Sequence, residues 1–157
     1  MKPSAKLIET FNEILTAELI GINQYFAHAK LCRHWGYLKL AEINRKESMS
    51  EMKHADELME RIIYLGGIPN VQRLGKIRIG EGVPEQLKLD RELEKDAIAR
   101  LNRAIEQAVS VHDNGSRALL EKILAAEEEH LDWLETQLTL IDQLGEAAYL
   151  AEQIHGA

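Results

Sequence analysis

Apolar residues recur along this 157-residue chain at steps of three and four. Leu7, Phe11, Ile14, Leu15, Ile22 and Tyr25 fall on one helical face, because 3.6 residues per turn gather such positions into a stripe. The spacing predicts a helix from Ser4 or Ala5 to about His34, broken at Trp35-Gly36. A second is predicted from Leu38 to Leu65, where Gly66-Gly67 is a C-terminal stop with Pro69 beyond. A third begins at Pro84, a favoured first-turn proline, and reaches about His112. Asp113-Asn114-Gly115 is turn chemistry. Ser116 can cap a fourth helix that ends at Leu144 before Gly145, and a short fifth covers Glu146 to Ile154.

Residues 66–82 are left as a connection containing Pro69, Gly75, Gly80 and Gly82. So long a loop is unusual inside a compact domain. It makes sense if it crosses the length of a bundle, because short loops keep successive helices antiparallel neighbours. The expectation is a single all-α domain over residues 1–157. It has four long helices of about 40 Å each, a long crossover between the second and third, and a short C-terminal fifth helix.

Composition agrees with that fold and narrows the function. Apolar residues make up 45% and charged residues 29%, as in globular chains with their own core. The net charge of −7 argues against a nucleic-acid partner held through phosphates and is compatible with handling cations. Cys32 is the only cysteine, so no disulfide and no Cys-x-x-Cys metal site can form within the chain. That usage favours a reducing cytoplasm. The opening MKPSAKLIET lacks the apolar core of a secretion signal, and no apolar run approaches transmembrane length.

The chemistry lies in a repeat. Glu18, Glu51 and His54 are followed, each 76 residues later, by Glu94, Glu127 and His130. Within each set a lone glutamate precedes a Glu-x-x-His pair by 33 residues. Residues three apart on a helix share a face, so Glu51 with His54, and Glu127 with His130, project together. All six sit among apolar positions and therefore near the core. One core-facing glutamate or histidine usually pairs locally. Four carboxylates buried together are very costly without compensation. Two divalent cations would balance four carboxylates and two neutral imidazoles. Glu, Glu-x-x-His, Glu, Glu-x-x-His on four helices is the ligand set of a carboxylate di-iron bundle, and oxygen with imidazole donors suits iron or manganese. Glu51 and Glu127 are expected to bridge, with Glu18 and Glu94 terminal.

The segments ELIGINQYFAHAK (18–30), EMKHADELMERI (51–62) and EEEHLDWLETQLTLIDQLG (127–145) closely resemble bacterioferritin, and the likeness covers essentially the whole chain. The resemblance implies a ferritin-like shell of 24 subunits that oxidises Fe(II), with dioxygen or hydrogen peroxide as oxidant, and stores a ferric mineral. It implies a ferroxidase centre made by Glu18, Glu51, His54, Glu94, Glu127 and His130. It further implies a b-type haem at the two-fold interface, held by Met52 from each chain, and a small [2Fe-2S] ferredoxin as electron donor. Met52 is one residue beyond Glu51 and so points about 100° away from it. Leu19, Asn23 and Phe26 lie on a matching outer stripe. The chain departs from some family members, which carry a His and an Asp where Lys46 and Ser50 stand here, so that of their inner-surface iron site only Glu47 remains.

The competing reading is a di-iron or di-manganese peroxidase or catalase without storage. The missing four-cysteine module counts against a rubrerythrin-type peroxidase, and the short fifth helix counts against both. Tyr25 and Trp133 are either redox-active neighbours of the site or ordinary core aromatics. Cys32, His28, His34, His112 and His155 have no partner pattern and are assigned to surface or interface.

Overall fold

The structure is a computed structural model that describes residues 5–73 and 75–155. Five helices follow in order: α1 Ala5–Trp35, α2 Leu38–Tyr64, α3 Val83–Ser110, α4 Asn114–Leu144 and α5 Glu146–Ala151. The four long ones hold 31, 27, 28 and 31 residues, so each is about 40–46 Å long. Both the bundle and its long crossover are as predicted. Ser4, one of the two expected starts, lies outside the described residues.

The ends differ in detail. α2 stops at Tyr64, with Leu65 as its C-cap. α3 ends at Ser110, and His112 turns with φ 59. α5 stops at Ala151 rather than Ile154. The cap of α4 is Asp113, whose carboxylate accepts the Ser116 amide at 3.0 Å. Ser116 is therefore a first-turn residue and not the cap. A carboxylate is at least as good an acceptor as a hydroxyl for the free amides there.

α1 lies against α2, and α3 against α4, while α1 meets α3 and α2 touches α4. Two apolar clusters fill the interior. One joins Leu7, Phe11, Ile14 and Leu15 to Leu58, Ile62, Leu101, Leu120 and Ile123. The other joins Cys32, Leu40, Val83, Leu87 and Leu134 to Tyr149 of α5. Along every long helix one polar layer separates them, and it contains Glu18, Glu51 with His54, Glu94, and Glu127 with His130.

Residues 65–73 and 75–82 run back along α1. Asn12 donates to the Ile68 carbonyl at 3.2 Å and accepts the Asn70 amide at 2.7 Å. Further on, Gln24 accepts the Arg78 amide at 3.3 Å, and His28 Nε2 accepts the Gly80 amide at 3.0 Å. From Asn12 to His28 is about 24 Å of helix. An irregular segment has no ladder to satisfy its backbone, and α1 side chains supply partners instead.

His28 and Cys32 are thus corrected from surface to core, both at 0% exposure. His28 Nδ1 lies 3.0 Å from Asp90, and Gln24 donates to the same carboxylate at 2.8 Å. The Cys32 thiol donates to Gln86 at 3.3 Å, and burial raises it to about 12, which removes it from thiolate chemistry. His34, His112 and His155 are exposed, as expected.

Candidate metal centre

The polar layer brings all six residues of the repeat into the bundle interior. Glu18, Glu51, Glu94 and Glu127 are 1–3% exposed, and His54 and His130 are 6% and 7%. Ligand atoms of Glu18, Glu51, His54 and Glu127 lie within 4.8 Å of one another. So do those of Glu51, Glu94, Glu127 and Glu47, and those of Glu94, His130 and Glu47. Glu51 and Glu127 therefore belong both with the Glu18–His54 half and with Glu94. A Cβ at Gly21 would stand 3.4 Å from the Glu51 carboxyl, so the glycine leaves that side chain room.

These groups do not satisfy one another. Glu18 Oε2, Glu51 Oε1, Glu94 Oε2, both oxygens of Glu127, His54 Nδ1 and His130 Nε2 are buried without a hydrogen-bond partner. His54 Nδ1 is 3.2 Å from Glu127 and 3.5 Å from Glu18. That is close enough for charge attraction but out of line for a hydrogen bond. Each orphaned buried polar atom costs about 1–3 kcal/mol, more if charged. Among the described residues only Glu57 and Arg91 add further orphans. A fold that concentrates its unsatisfied atoms in one layer is arranged for something placed among them.

Electrostatics tell the same story. Burial raises the Glu18 carboxyl to about 8, the His54 attraction offsetting only part of that rise. Burial, reinforced by Glu127, holds Glu94 well above the usual carboxylate range. Burial also resists ionisation of Glu127, yet contacts with Glu94 and His54 hold it below the ordinary value. His54 is desolvated too, but the Glu127 and Glu18 carboxyls outweigh this and raise it to about 10. His130 lacks comparable support, and burial lowers it to about 4. Without metal, Glu18, Glu94 and His54 all hold their protons to higher pH than an ordinary carboxyl or imidazole does. Such a site has acid groups waiting to exchange protons for cations.

The surrounding residues hold the ligands. Tyr25 is fully buried, and its hydroxyl donates to Glu94 Oε1. It meets the His130 ring edge-on at 5.1 Å, while Trp133 stacks on the other side at 5.6 Å. Tyr25 is thus a hydrogen-bonded core tyrosine that orients the Glu94 carboxyl. Sequence reasoning missed Glu47 as a member of the cluster. It is half-buried, its Oε2 is 3.4 Å from His130 Nδ1, and burial raises it to about 8. The available signal was its position four residues before Glu51, one turn along the same face. Glu47, Ser50, Glu129, His130 and Trp133 line a cavity of about 400 Å³ at the α2–α4 face. Met52 lies apart from this layer, 48% exposed on the outer side of α2 beside the equally exposed Met49.

Residues 8–144 match the Ferritin-like domain. The chain is 52% identical to a bacterioferritin of Streptomyces coelicolor over 98% of its own length and 92% of the relative's. It is 47% identical to a bacterioferritin of Mycobacterium bovis, over 97% of this chain and 96% of that one. With a bacterioferritin of Brucella melitensis the identity is 44%, over 95% and 92%. Likeness at this level over nearly the whole chain places it in the bacterioferritin family.

Proposed function

We propose that this protein is an iron-storage ferroxidase, built from a single domain over residues 1–157 and working in the cytoplasm. The observation that carries the reading is the layer of orphaned, mutually crowded carboxylates and imidazoles between two apolar clusters. Fe(II) is the substrate. Glu18 and His54 hold one ion, Glu94 and His130 the other, and Glu51 and Glu127 bridge them. Their shared membership of the two halves supports that division. Binding expels the protons from Glu18, Glu94 and His54. Two Fe(II) then give two electrons to dioxygen, which with two protons leaves as hydrogen peroxide, or to hydrogen peroxide, which with two protons leaves as two waters.

The chain's own residues set the geometry for this exchange. Tyr25 fixes Glu94, Trp133 fixes the His130 ring, and the apolar clusters keep bulk water from both ends of the layer. His130 and Glu47 stand between the centre and the cavity at the α2–α4 face. Fe(III) leaves by this route into a shell of 24 subunits, with His130 as the movable member.

The family likeness supports a haem site at Met52, an exposed thioether on the outward stripe of α2. Two copies meeting at that face would each offer a Met52 thioether to hold the group. A haem held there would supply one-electron chemistry for releasing stored iron, with a [2Fe-2S] ferredoxin as the donor.

Glu94→Ala tests the centre. It removes one terminal ligand and the acceptor of Tyr25. The initial rate of Fe(II) oxidation should fall by well over tenfold, since losing even an outer partner of a metal ligand costs roughly 10–100-fold. The assembled size should not change. An unaltered rate in an assembled Glu94→Ala shell would falsify the ligand assignment.

A further inference from the structure

A fifth buried carboxylate stands beside the ligand layer and differs from the four within it. Asp90 is 1% exposed on α3, one turn before Glu94 on the same face. The four glutamates leave oxygens without partners, whereas Asp90 has both of its oxygens engaged. Gln24 donates to Oδ1 at 2.8 Å, and His28 Nδ1 lies 3.0 Å from Oδ1 and 3.2 Å from Oδ2. Both donors come from α1, and Tyr25, next to Gln24, donates to Glu94. Residues 24, 25 and 28 thus hold two successive carboxylates of α3. The crossover fixes where the protons lie. A backbone N–H can only donate, and the Gly80 amide donates to His28 Nε2 at 3.0 Å. Nε2 therefore carries no proton, and the single ring proton sits on Nδ1, facing Asp90. Gln24 is oriented in the same way, because its oxygen accepts the Arg78 amide and its nitrogen is left for Asp90. Asp90 thus meets two neutral donors, which hold its negative charge in place without cancelling it.

That charge bears on the centre. Burial does most to shift Tyr25, Glu47 and His130, and the Asp90 charge acts on all three. Four ligand carboxylates balance two Fe(II) ions, but oxidation takes one electron from each ion and leaves two more positive charges behind. In a layer bounded by apolar clusters, a further fixed anion favours the more highly charged product. We propose that Asp90, held by His28 and Gln24 beside the ligand set, is a charge-balancing residue that biases the centre towards Fe(III) over Fe(II). Asp90 binds neither ion, and His28 and Gln24 act through it as positioning residues. Two Fe(II) still give one electron each to dioxygen, which with two protons leaves as hydrogen peroxide, and Asp90 keeps its charge throughout. The inference rests on the ferroxidase reading given above.

Redox-inert ions separate this charge effect from turnover. Co(II) stands in for Fe(II), and Ga(III), supplied as its citrate complex, for Fe(III). Metal-free assembled wild type, Asp90→Asn and Asp90→Glu are titrated with each ion, and the initial rate of Fe(II) oxidation in air is measured beside them. A unit charge about 10 Å away in a protein interior changes a one-charge equilibrium by more than about tenfold. Asp90→Asn should therefore keep two Co(II) per chain, lose at least about tenfold in affinity for Ga(III) relative to Co(II), and oxidise Fe(II) more slowly. Asp90→Glu restores the charge and should recover most of the preference for Ga(III). If Asp90→Asn does not assemble, Asp90→Ser, smaller and still an acceptor for His28, carries the same expectation. An unchanged preference between the two ions overturns the proposal. So does an equal loss of both, since a packing defect does not distinguish ions by charge. The ferroxidase reading fails separately: wild type that does not take up two Co(II) per chain brings down the centre, and this proposal with it, before any variant is compared.

Discussion

At the scale of single residues the centre is a set of groups whose ordinary ionisation the fold opposes. Glu18 and Glu47 are raised from 4.5 to about 8, and His54 from 6.5 to about 10. For each, the folded chain holds a proton that the unfolded chain gives up at lower pH. The stability they contribute is complete below their unfolded values and is lost as pH rises towards the folded ones. His130, lowered from 6.5 to about 4, acts in the opposite sense, but only below about pH 6.5. Between pH 6.5 and 8 all the resolved contributions of the site therefore point one way. The metal-free protein should lose on the order of 5 °C in Tm across that window. The same protein loaded with Fe(II) under nitrogen should be nearly flat, and Glu18→Gln should lessen the slope. A metal-free Tm that rises with pH there would overturn this electrostatic account. Glu47 makes a second prediction. It is 3.4 Å from His130 and lines the adjoining cavity. Glu47→Gln should therefore still bind two Fe(II) per chain but slow repeated turnover by about tenfold, measured as the rate after the first two equivalents. The six repeat residues were legible because their spacing is fixed by helix geometry. Glu47 was not, since one more glutamate on a charged helix looks like a solvated one until α4 brings His130 beside it.

At the scale of elements, four long helices were readable because a three-and-four period persists through each. Their ends depend on fewer atoms and were read less well. Asp113 accepts from the Ser116 amide at 3.0 Å and the Ser116 hydroxyl at 2.5 Å, and pairs with Arg61 of α2 at 2.8 Å. Burial opposes its ionisation, but the Ser116 and Arg61 contacts hold its carboxyl below the ordinary value. One side chain thus starts α4 and ties it to α2. Asp113→Ala should lower stability by about 1–2 kcal/mol, the cost of a lost cap together with a half-buried guanidinium left without its partner. Asp113→Asn should lose less, because asparagine caps as well as aspartate. Guanidinium unfolding midpoints of the three proteins check this, and equal midpoints for Ala and wild type would refute it. The crossover carried a subtler lesson. Its length predicted that it spans the bundle, but nothing local showed that Asn12, Gln24 and His28 face it. Side chains that bond an irregular backbone carry no period of their own. His28 therefore read as a surface residue, although it is buried between Asp90 and Gly80. A Cβ at Gly80 would stand 2.5 Å from the Gln86 backbone nitrogen, so the segment reaches α3 through a gap that only glycine fits.

At the scale of the whole molecule, the described chain does not cover its own apolar surface. Ile68 is 84% exposed and Tyr64 72%, at the crossover and the end of α2, and Met49 and Met52 are open on the outer stripe. Exposure of this kind marks surfaces that meet other copies, and the bacterioferritin family points to a multimeric iron-storage shell. Helix geometry set Met52 on an outer stripe, but the Tyr64–Ile68 face was not legible, because an apolar residue at a helix end or in a loop has no period to say whether it faces the core. The distinction between storage and a resident cofactor is decided at this same scale. On the proposed reading six ligands accommodate two ions, and the apolar clusters bound the layer on either side along the bundle. On the same reading iron beyond two per chain would leave through the Glu47–His130 face and collect outside the bundle in an enclosed space. Metal-free protein titrated with Fe(II) in air, freed of unbound iron and assayed for iron per chain, should therefore pass two without a plateau and keep rising. A plateau near two would mean that iron stays where it is oxidised. The chain would then be a di-iron peroxidase or catalase, and the cavity beside His130 would be a substrate entrance instead of an exit.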